Sequence, residues 1–458
     1  MSIKKTSQPA GRRGFRPAKP KSKAKPLNNV LTEIVIDRLA HDGRGIGLMA
    51  GKIVFVDQAL PPEKHIIKIV SQKSKFSEAI SESIVGESSP ERVAPACAYY
   101  ASCGGCQLQH LQPDAQLTFK SNLVLDQLRR VQLDIPSEKV AYIVAKNTFG
   151  YRSRARLSLN HKGSPYAGFK ARANSQIIKI DSCPVLDPSL DACLAPLQRE
   201  LAHIRPEVLG HIEMLKTQPS PVLVLRHVAA LTDIERDILF KLSVEIGAEV
   251  YLQPDSSANY YCLDGTKTDI HFTVTVPHVA QPVNYQISNF SQVNPAVNYA
   301  MVEQALSWAK PCKDDVWLDL FCGVGNLTLP FSTVVHQVIG VEAIADMVEQ
   351  AKANADSLGI TNCRFLAADL EKVESLRLLP KKVDGVILDP PRAGAKSVVD
   401  NISRLKPRKI LYIACDPATF ARDAKILVAA GYQIERVGAL DMFPQTMHVE
   451  TMALFIRS

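Results

Sequence analysis

No stretch of the chain approaches the roughly 18 consecutive apolar residues that a membrane-crossing helix requires, so no membrane partner is expected. The first residues also lack the apolar core of a secretory signal, and a cytoplasmic location is expected. No internal repeat divides the chain into like units. Acidic residues are missing from residues 1–28, which carry nine Lys or Arg. The remainder holds 45 basic and 46 acidic residues, so the net charge of +8 resides in this tail. A basic tail containing Pro and Ser cannot build a core, and disorder is expected over 1–28. Its charge suits an arm drawn to nucleic-acid phosphate better than a mere solubiliser. A disulfide framework is not expected either, because ten cysteines in a cytosolic chain more often bind metal or take part in chemistry.

What is present is a globular composition, 46% hydrophobic and 22% charged. At 458 residues the chain is too long for a single core, and two to four domains are expected. Over 29–87, "TEIVIDRLA" alternates apolar residues, "HDGRGIG" supplies turn glycines, and "KIVFVDQAL" and "HIIKIVSQK" are again strand-like. Several short strands in this span predict a small closed β-barrel. Beside a basic tail, such a barrel resembles the TRAM module, an RNA-binding relative of the OB-fold.

Residues 113–131 predict a helix, with Pro113 near its start and an apolar stripe through Leu117, Val124, Leu128 and Val131. In "YRSRARLSLN" the period changes to that of a strand. Arg152, Arg154 and Arg156 alternate there, so their guanidinium groups are expected on one face, as a solvated surface or as a phosphate clamp. Strand-like "PVLVLRHV", "EVYLQP" and "HFTVTVP" continue a central mixed domain, 88–277. From about 315 apolar strands alternate with helical segments: "DVWLDLF", "QVIGVEA", "CRFLAADL", "VDGVILDPP" and "KILYIACDP". That alternation predicts a parallel sheet covered on both faces, hence a Rossmann-like domain over 278–458. The whole reads as multidomain α/β + β. Ligands of such sheets collect at the carboxyl ends of the strands, where Asp319, Glu342, Asp369, Asp389 and Cys415 all fall.

"LDLFCGVGNLTLP" places an acid and then Gly323 and Gly325 before a helix, letting backbone approach a ligand closely. Glu342 at the next strand end could accept the hydroxyls of a ribose, and Asp369 could meet an adenine amine. This order of acids and glycines suits S-adenosylmethionine better than a nicotinamide dinucleotide. "DPPRAG" is a rigid turn that presents Asp389 in a fixed direction. Methyltransferases acting on exocyclic amines carry an aromatic residue after a related turn; Arg392 stands here instead.

"YIACDPATFARD" carries a thiol, Cys415, to the tip of a strand, with Thr419 as a candidate cap for a helix starting near Phe420. A thiolate there could add to carbon 6 of a pyrimidine, giving carbon 5 the enolate character it needs to attack a methyl sulfonium. A base must then take the carbon-5 proton. Glu450 in "FPQTMHVETMALF" interrupts an apolar segment, so burial and a raised pKa are expected. His448, two residues earlier, would share its sheet face and is the rival base. Cys97, Cys103 and Cys106 in "ACAYYASCGGCQ", with Cys183 in "IDSCPVL", could hold zinc or an iron–sulfur cluster.

"FSQVN", "LDLFCGVGNLTLP", "DPPRAG", "ACDPATFARD" and "FPQTMHVE", in this order, resemble the RNA uracil-5 methyltransferase family over nearly the whole chain. The resemblance implies a class I methyltransferase domain and an S-adenosylmethionine pocket lined by Gln292, Phe321, Asn326, Glu342, Asp369 and Asp389. Cys415 would be the nucleophile and Glu450 the base. The spacing of Cys97, Cys103 and Cys106 resembles the ribosomal branch of the family, which implies a [4Fe-4S] cluster held with Cys183. It also implies 23S ribosomal RNA as partner and a monomeric enzyme, with other RNA uracils open as targets. Family members often have Asn where this chain has Asp416. Two rivals arise from the same features: a radical S-adenosylmethionine methylthiotransferase, whose cysteine spacing differs, and a non-catalytic RNA-binding protein, which would not need Cys415, Asp389 and Glu450 together.

Overall fold

The computed structural model describes residues 31–457 apart from 144–145, 255–258, 373–374, 376–378, 381 and 403–404. The basic tail, 1–28, lies outside the described residues. Among them no helix is long and apolar enough to cross a membrane.

Residues 31–85 form a six-stranded sheet in which Leu31–Val35 and Arg38–Leu39 are the outermost strands. Alternate residues of its strands (Ile34, Val54, Val56, Ile67 and Ala79) point inward to a small core, as the period of two requires. Leu31–Val35 also lies against Gly45–Met49, so the sheet curls on itself. Glu63 ties this unit to the segment around Ser89 and Arg92. It accepts bonds from the amides of Leu60 (2.9 Å) and Ser89 (3.1 Å) and from Arg92 Nη2 (2.6 Å). Burial alone would raise its pKa, but Arg92, His65 and the two amides hold it far below the usual carboxylate range.

The central sheet has eight strands, in the order Ile177–Lys179, Tyr166–Lys170, Arg154–Asn160, Leu209–Leu215, Val222–His227, Glu249–Pro254, Tyr260–Cys262 and Lys267–Thr268. The arginine expectation needs correction here. Arg154 and Arg156 do share a face, but Glu213 lies opposite Arg156 in the register and binds both guanidinium groups. Arg154 also donates to the carbonyls of Asn289 (2.9 Å) and Ile287 (2.7 Å). Arg152 precedes the strand; its backbone makes an isolated bridge to Leu186, and its Nε donates to the Arg154 carbonyl (3.0 Å). A single cross-strand carboxylate thus pairs with both strand arginines, while the Arg156 side chain stays exposed.

The catalytic sheet also has eight strands: Cys363–Ala367, Gln337–Glu342, Val316–Leu320, Gly385–Leu388, Lys409–Ala414, Glu450–Arg457, Tyr432–Leu440 and Val140–Ile143. The first five run parallel, and Glu450–Arg457 is antiparallel to both its neighbours. The helix Pro113–Arg130 covers one face, sending Val124 and Leu128 into a core shared with Phe420, Ala421 and Leu427. The helix Pro295–Ala309 covers the other with Met301, Val302 and Ala305. Two pieces are not legible in the sequence. Val140–Ile143 joins the catalytic sheet alongside Tyr432–Leu440. His271–Val274 leaves the central sheet to pair with Val283–Gln286, and this hairpin packs on helix Ala345–Ser357.

The joint between Val140–Ile143 and Tyr432–Leu440 depends on Gly438, where a Cβ would lie 2.0 Å from the carbonyl oxygen of Ala141. Gly438→Ala is expected to push the added strand away at a cost of about 1–3 kcal/mol. A lowered melting transition, with faster proteolysis near residue 143, checks this.

Candidate active site

The parallel strands deliver their carboxyl ends to one edge. At the first, Asp319 is buried; its Oδ2 accepts the Thr328 hydroxyl at 2.5 Å, while its Oδ1 has no protein partner. Burial, with Asp389 and Glu342 nearby, raises its pKa to about 7. A buried carboxyl oxygen without a partner is uncommon and points to a ligand.

The following turn, Phe321 to Gly325, is unusual in its backbone. Phe321 (φ 67°), Gly323 (φ 57°) and Gly325 (φ 99°) are all left-handed, a region that a bulky residue enters only when its surroundings compel it. Here the amides of Phe321 and Cys322 both donate to the Val341 carbonyl, at 2.9 and 3.1 Å. Glu342 is oriented by three amides, those of Gly323 (3.2 Å), Ala343 (2.7 Å) and Ile344 (3.1 Å). Ala343 and Ile344 both bind Oε1, so Oε2, which takes Gly323 alone, retains acceptor capacity for a hydroxyl donor. Asn326 exchanges reciprocal amide bonds of 2.9 Å with Asn298 on the helix Pro295–Ala309. Asn298 carries no motif signal and escapes sequence reasoning. Asp369 is partly exposed and takes the Glu371 amide and Lys372, which hold its pKa below the usual carboxylate value.

Asp389 follows the strand Gly385–Leu388, and the surrounding protein raises its pKa to about 7. The turn after it is gripped by the helix Pro417–Ala429. Thr419 Oγ1 donates to the Arg392 carbonyl (3.2 Å), Arg422 to that of Ala393 (3.0 Å), and the Ala395 amide donates to Asp423 (2.8 Å). Gly394 (φ 77°) permits this approach, since a Cβ there would stand 2.7 Å from the Asp423 carboxylate.

Cys415 ends the strand Lys409–Ala414, whose Ala414 pairs with Thr451. Continuing that antiparallel register by one residue puts Cys415 across from Glu450. Burial pushes the thiol up to about 11, Glu450 and Asp389 add to this, and Arg392 opposes it. Asp416, not Thr419, caps the helix, accepting the amides of Ala418 (3.0 Å) and Thr419 (2.9 Å). The acid beside Cys415 is thereby engaged with the helix N-terminus, where a negative charge is favoured.

Glu450 is 6% exposed and burial, with Asp389 adjacent, raises its pKa to about 8 against the pull of Arg392. His448 does not share its sheet face, because the strand begins at Glu450. The ring lies edge-on to Phe443, 5.7 Å between centroids, and burial lowers its pKa, helped by Arg392, Lys120 and Arg152.

Cys415, Glu450, Asp389 and Arg392 thus form one group, adjoining Asp319, Glu342 and the Phe321 turn. Gln292 stands apart, lining a cavity of about 540 Å³ with Lys216, Phe272 and the first turn of Pro295–Ala309. In the sequence Arg392 stands out only as a departure from an amine-directed turn; its position after Asp-Pro-Pro is the signal for its place here. Cys97, Cys103, Cys106 and Cys183 line a second cavity of about 220 Å³, with Arg152, Thr446 and His448 also on its wall. Among the described residues no three His, Cys, Asp or Glu side chains are gathered so as to hold one metal ion.

Residues 114–458 match the tRNA (uracil-5-)-methyltransferase family. The chain is 39% identical to the 23S rRNA (uracil(1939)-C(5))-methyltransferase RlmD of Vibrio campbellii, covering 96% of this chain and 99% of that one. It is 39% identical to the RlmD of Pseudomonas entomophila, covering 92% and 93%. The crystal structure of Pyrococcus abyssi tRNA (uracil-54, C5)-methyltransferase with S-adenosyl-L-homocysteine superposes with a TM-score of 0.69 at 25% identity, over 93% of this chain and all of that one. By its strand-end acids, its strand-tip thiol and these likenesses, the chain belongs to the RNA uracil-5 methyltransferase family.

Proposed function

We propose that the protein methylates carbon 5 of uracil 1939 in 23S ribosomal RNA, the target named for its relatives, through a covalent bond from Cys415. The carrying observation is that Cys415 and Glu450 flank the last pair of their strands, Ala414 with Thr451, and that the charges of Asp389 and Arg392 act on both. S-adenosylmethionine supplies an electrophilic methyl group on a sulfonium cation. Its adenosine suits Glu342, Asp369 and the Phe321 turn, with Asn326 completing the pocket, its cationic end suits the raised carboxyl of Asp389, and Gln292 lines the separate cavity instead. The unpartnered Asp319 oxygen supports a ligand at this edge.

Arg392 favours the ionised forms of both Cys415 and Glu450. The Cys415 thiolate adds to carbon 6, and the electrons displaced to carbon 5 form the new bond to methyl as the methyl–sulfur bond of the sulfonium breaks with its electrons on sulfur, releasing S-adenosylhomocysteine. Glu450 then takes the carbon-5 proton, the 5,6 double bond re-forms, and the carbon–sulfur bond breaks with its electrons on sulfur. A base with a pKa near 8 is better matched to this task than an ordinary carboxylate.

The four cysteines read best as ligands of a [4Fe-4S] cluster. Burial raises Cys106 to about 12 and Cys183 to about 11, so neutral thiols stand together until a cation claims them as thiolates. Zinc, with bonds of about 2.3 Å to each sulfur, would need the ligands bunched around one point. A cubane gives each thiolate its own iron and suits ligands distributed around a cavity. Four cysteine ligands leave no iron open, which favours a structural or RNA-contacting role. The curled sheet at 31–85 suits RNA contact as a TRAM-like unit, and the enzyme is read as a cytoplasmic monomer.

Cys415→Ala should abolish methylation while S-adenosylmethionine still binds; residual turnover above a few per cent would remove Cys415 as nucleophile. Glu450→Gln should transfer methyl yet release product about 10²–10⁴-fold more slowly, leaving a denaturation-resistant RNA adduct on gels. At pH 7, binding of the sulfonium should release protons, because a cation favours ionised Asp389 and Glu450, which are partly protonated there. The release should fade as pH rises past the Glu450 value of about 8. Calorimetry in buffers of unlike ionisation enthalpy measures it, and zero release at pH 7 would count against Asp389 as the cationic end's neighbour. Cys183→Ser, purified without oxygen, should lose brown absorbance and iron; stoichiometric zinc in wild type would overturn the cluster.

A further inference from the structure

The segment 441–449, which joins Tyr432–Leu440 to Glu450–Arg457, has no strand or helix of its own, yet most of it is buried. Buried irregular backbone must find partners. They come from sequence more than 290 positions away. Lys120 Nζ donates to Asp441 Oδ1 (2.6 Å) and to the Phe443 carbonyl (2.9 Å), with the Lys120 side chain fully buried. Gln116 accepts the Gln445 amide (2.9 Å) and donates to the Gln445 side chain (2.9 Å). The amides of Gln107 and Leu108 both donate to the Gln445 carbonyl at 3.0 Å. Tyr151 donates to the Pro444 carbonyl at 2.9 Å.

Gln445 itself is left-handed at φ 69°. A non-glycine residue persists in that region where its surroundings over-determine it, and Gln445 is held at its amide, its carbonyl and its side chain. Gln116 and Lys120 lie four apart and so share one face of the helix Pro113–Arg130. That helix is keyed into the catalytic core by Val124 and Leu128. It therefore offers a rigid reference from which to place the segment, and the segment ends on the base.

We propose that Gln116 and Lys120 are positioning residues for Glu450: they fix the 441–449 segment so that the carboxylate meets the carbon-5 proton. Gln107, next to Cys106, extends the same clamp to the cysteine cavity, whose wall includes Thr446 and His448. The proposal rests on Glu450 being the base and assigns the clamp to one step, proton removal and elimination of sulfur. Methyl transfer precedes that step and does not need the base in place.

The test monitors one turnover of the full-length, cluster-loaded enzyme on an RNA fragment carrying the natural uracil. Methyl incorporation and release of free RNA from the denaturation-resistant adduct are timed separately. Gln116→Met and Lys120→Met are expected to slow release by about 10–100-fold, in keeping with a displacement of about 1 Å at a catalytic group, with methyl incorporation changed less than about threefold. A merely structural loss would slow both steps together or lower the active fraction, and either outcome overturns the proposal. If Lys120→Met fails to fold because Asp441 is left buried and unpaired, Gln116→Met decides alone. Glu450→Gln is run in parallel. If it traps the adduct and Gln116→Met does not, the clamp is refuted and the base stands; if Glu450→Gln releases RNA normally, both are refuted.

Discussion

Asp319, Asp389 and Glu450 are carboxyl groups drawn out of water at one edge of a sheet, close enough for each to resist ionisation of a neighbour. Desolvation and like charge act in the same direction, and no cation neutralises the set fully. A site of this kind favours a bound cation and maintains a base near neutral strength. Much of the remaining structure serves to hold these groups where water cannot relieve them. The Phe321 turn closes one side, the helix Pro417–Ala429 grips the turn bearing Arg392, and the helix Pro113–Arg130 backs the segment leading to Glu450.

Arg392 provides the counterweight. It opposes the raised pKa of both Cys415 and Glu450, two groups that the proposed cycle ionises at different moments. One guanidinium thus favours the ionised form of either group. Asp416 stays out of this exchange because its carboxylate is bound to amides of the helix it caps. Asparagine, which the family resemblance leads one to expect here, also caps helices well, so either residue serves the cap.

The chain is threaded so that distant segments complete one another's units. Val140–Ile143 extends the catalytic sheet from a region otherwise next to the cysteines, and the hairpin from His271 to Gln286 packs between the central and catalytic units. Arg154 joins the central sheet to the segment before Pro295 through two backbone carbonyls. Such crossings make the cysteine cavity and the segment leading to Glu450 neighbours, although Cys106 and Glu450 are far apart in sequence.

Much of this is legible in the sequence, for physical reasons. Apolar strand runs alternating with helices announce a parallel sheet, and strand ends in such a sheet converge, so Asp319, Glu342, Asp389 and Cys415 fall at one edge on sequence grounds alone. Pro113 and the stripe through Val124 and Leu128 mark the helix Pro113–Arg130, and an acid in an apolar run marks Glu450 for burial. What only tertiary structure decided are the pairings that carry no local signal. Glu213 pairs with Arg154 and Arg156 across a strand register, Asn298 locks Asn326 from the helix Pro295–Ala309, and Asp416 rather than Thr419 takes the cap. His448 loses its place beside Glu450 because the strand starts two residues later than its alternation implies. Periodicity reports which face of an element is buried; it holds no record of which distant side chain will meet that face, and the partners of Gln445 were set by packing alone.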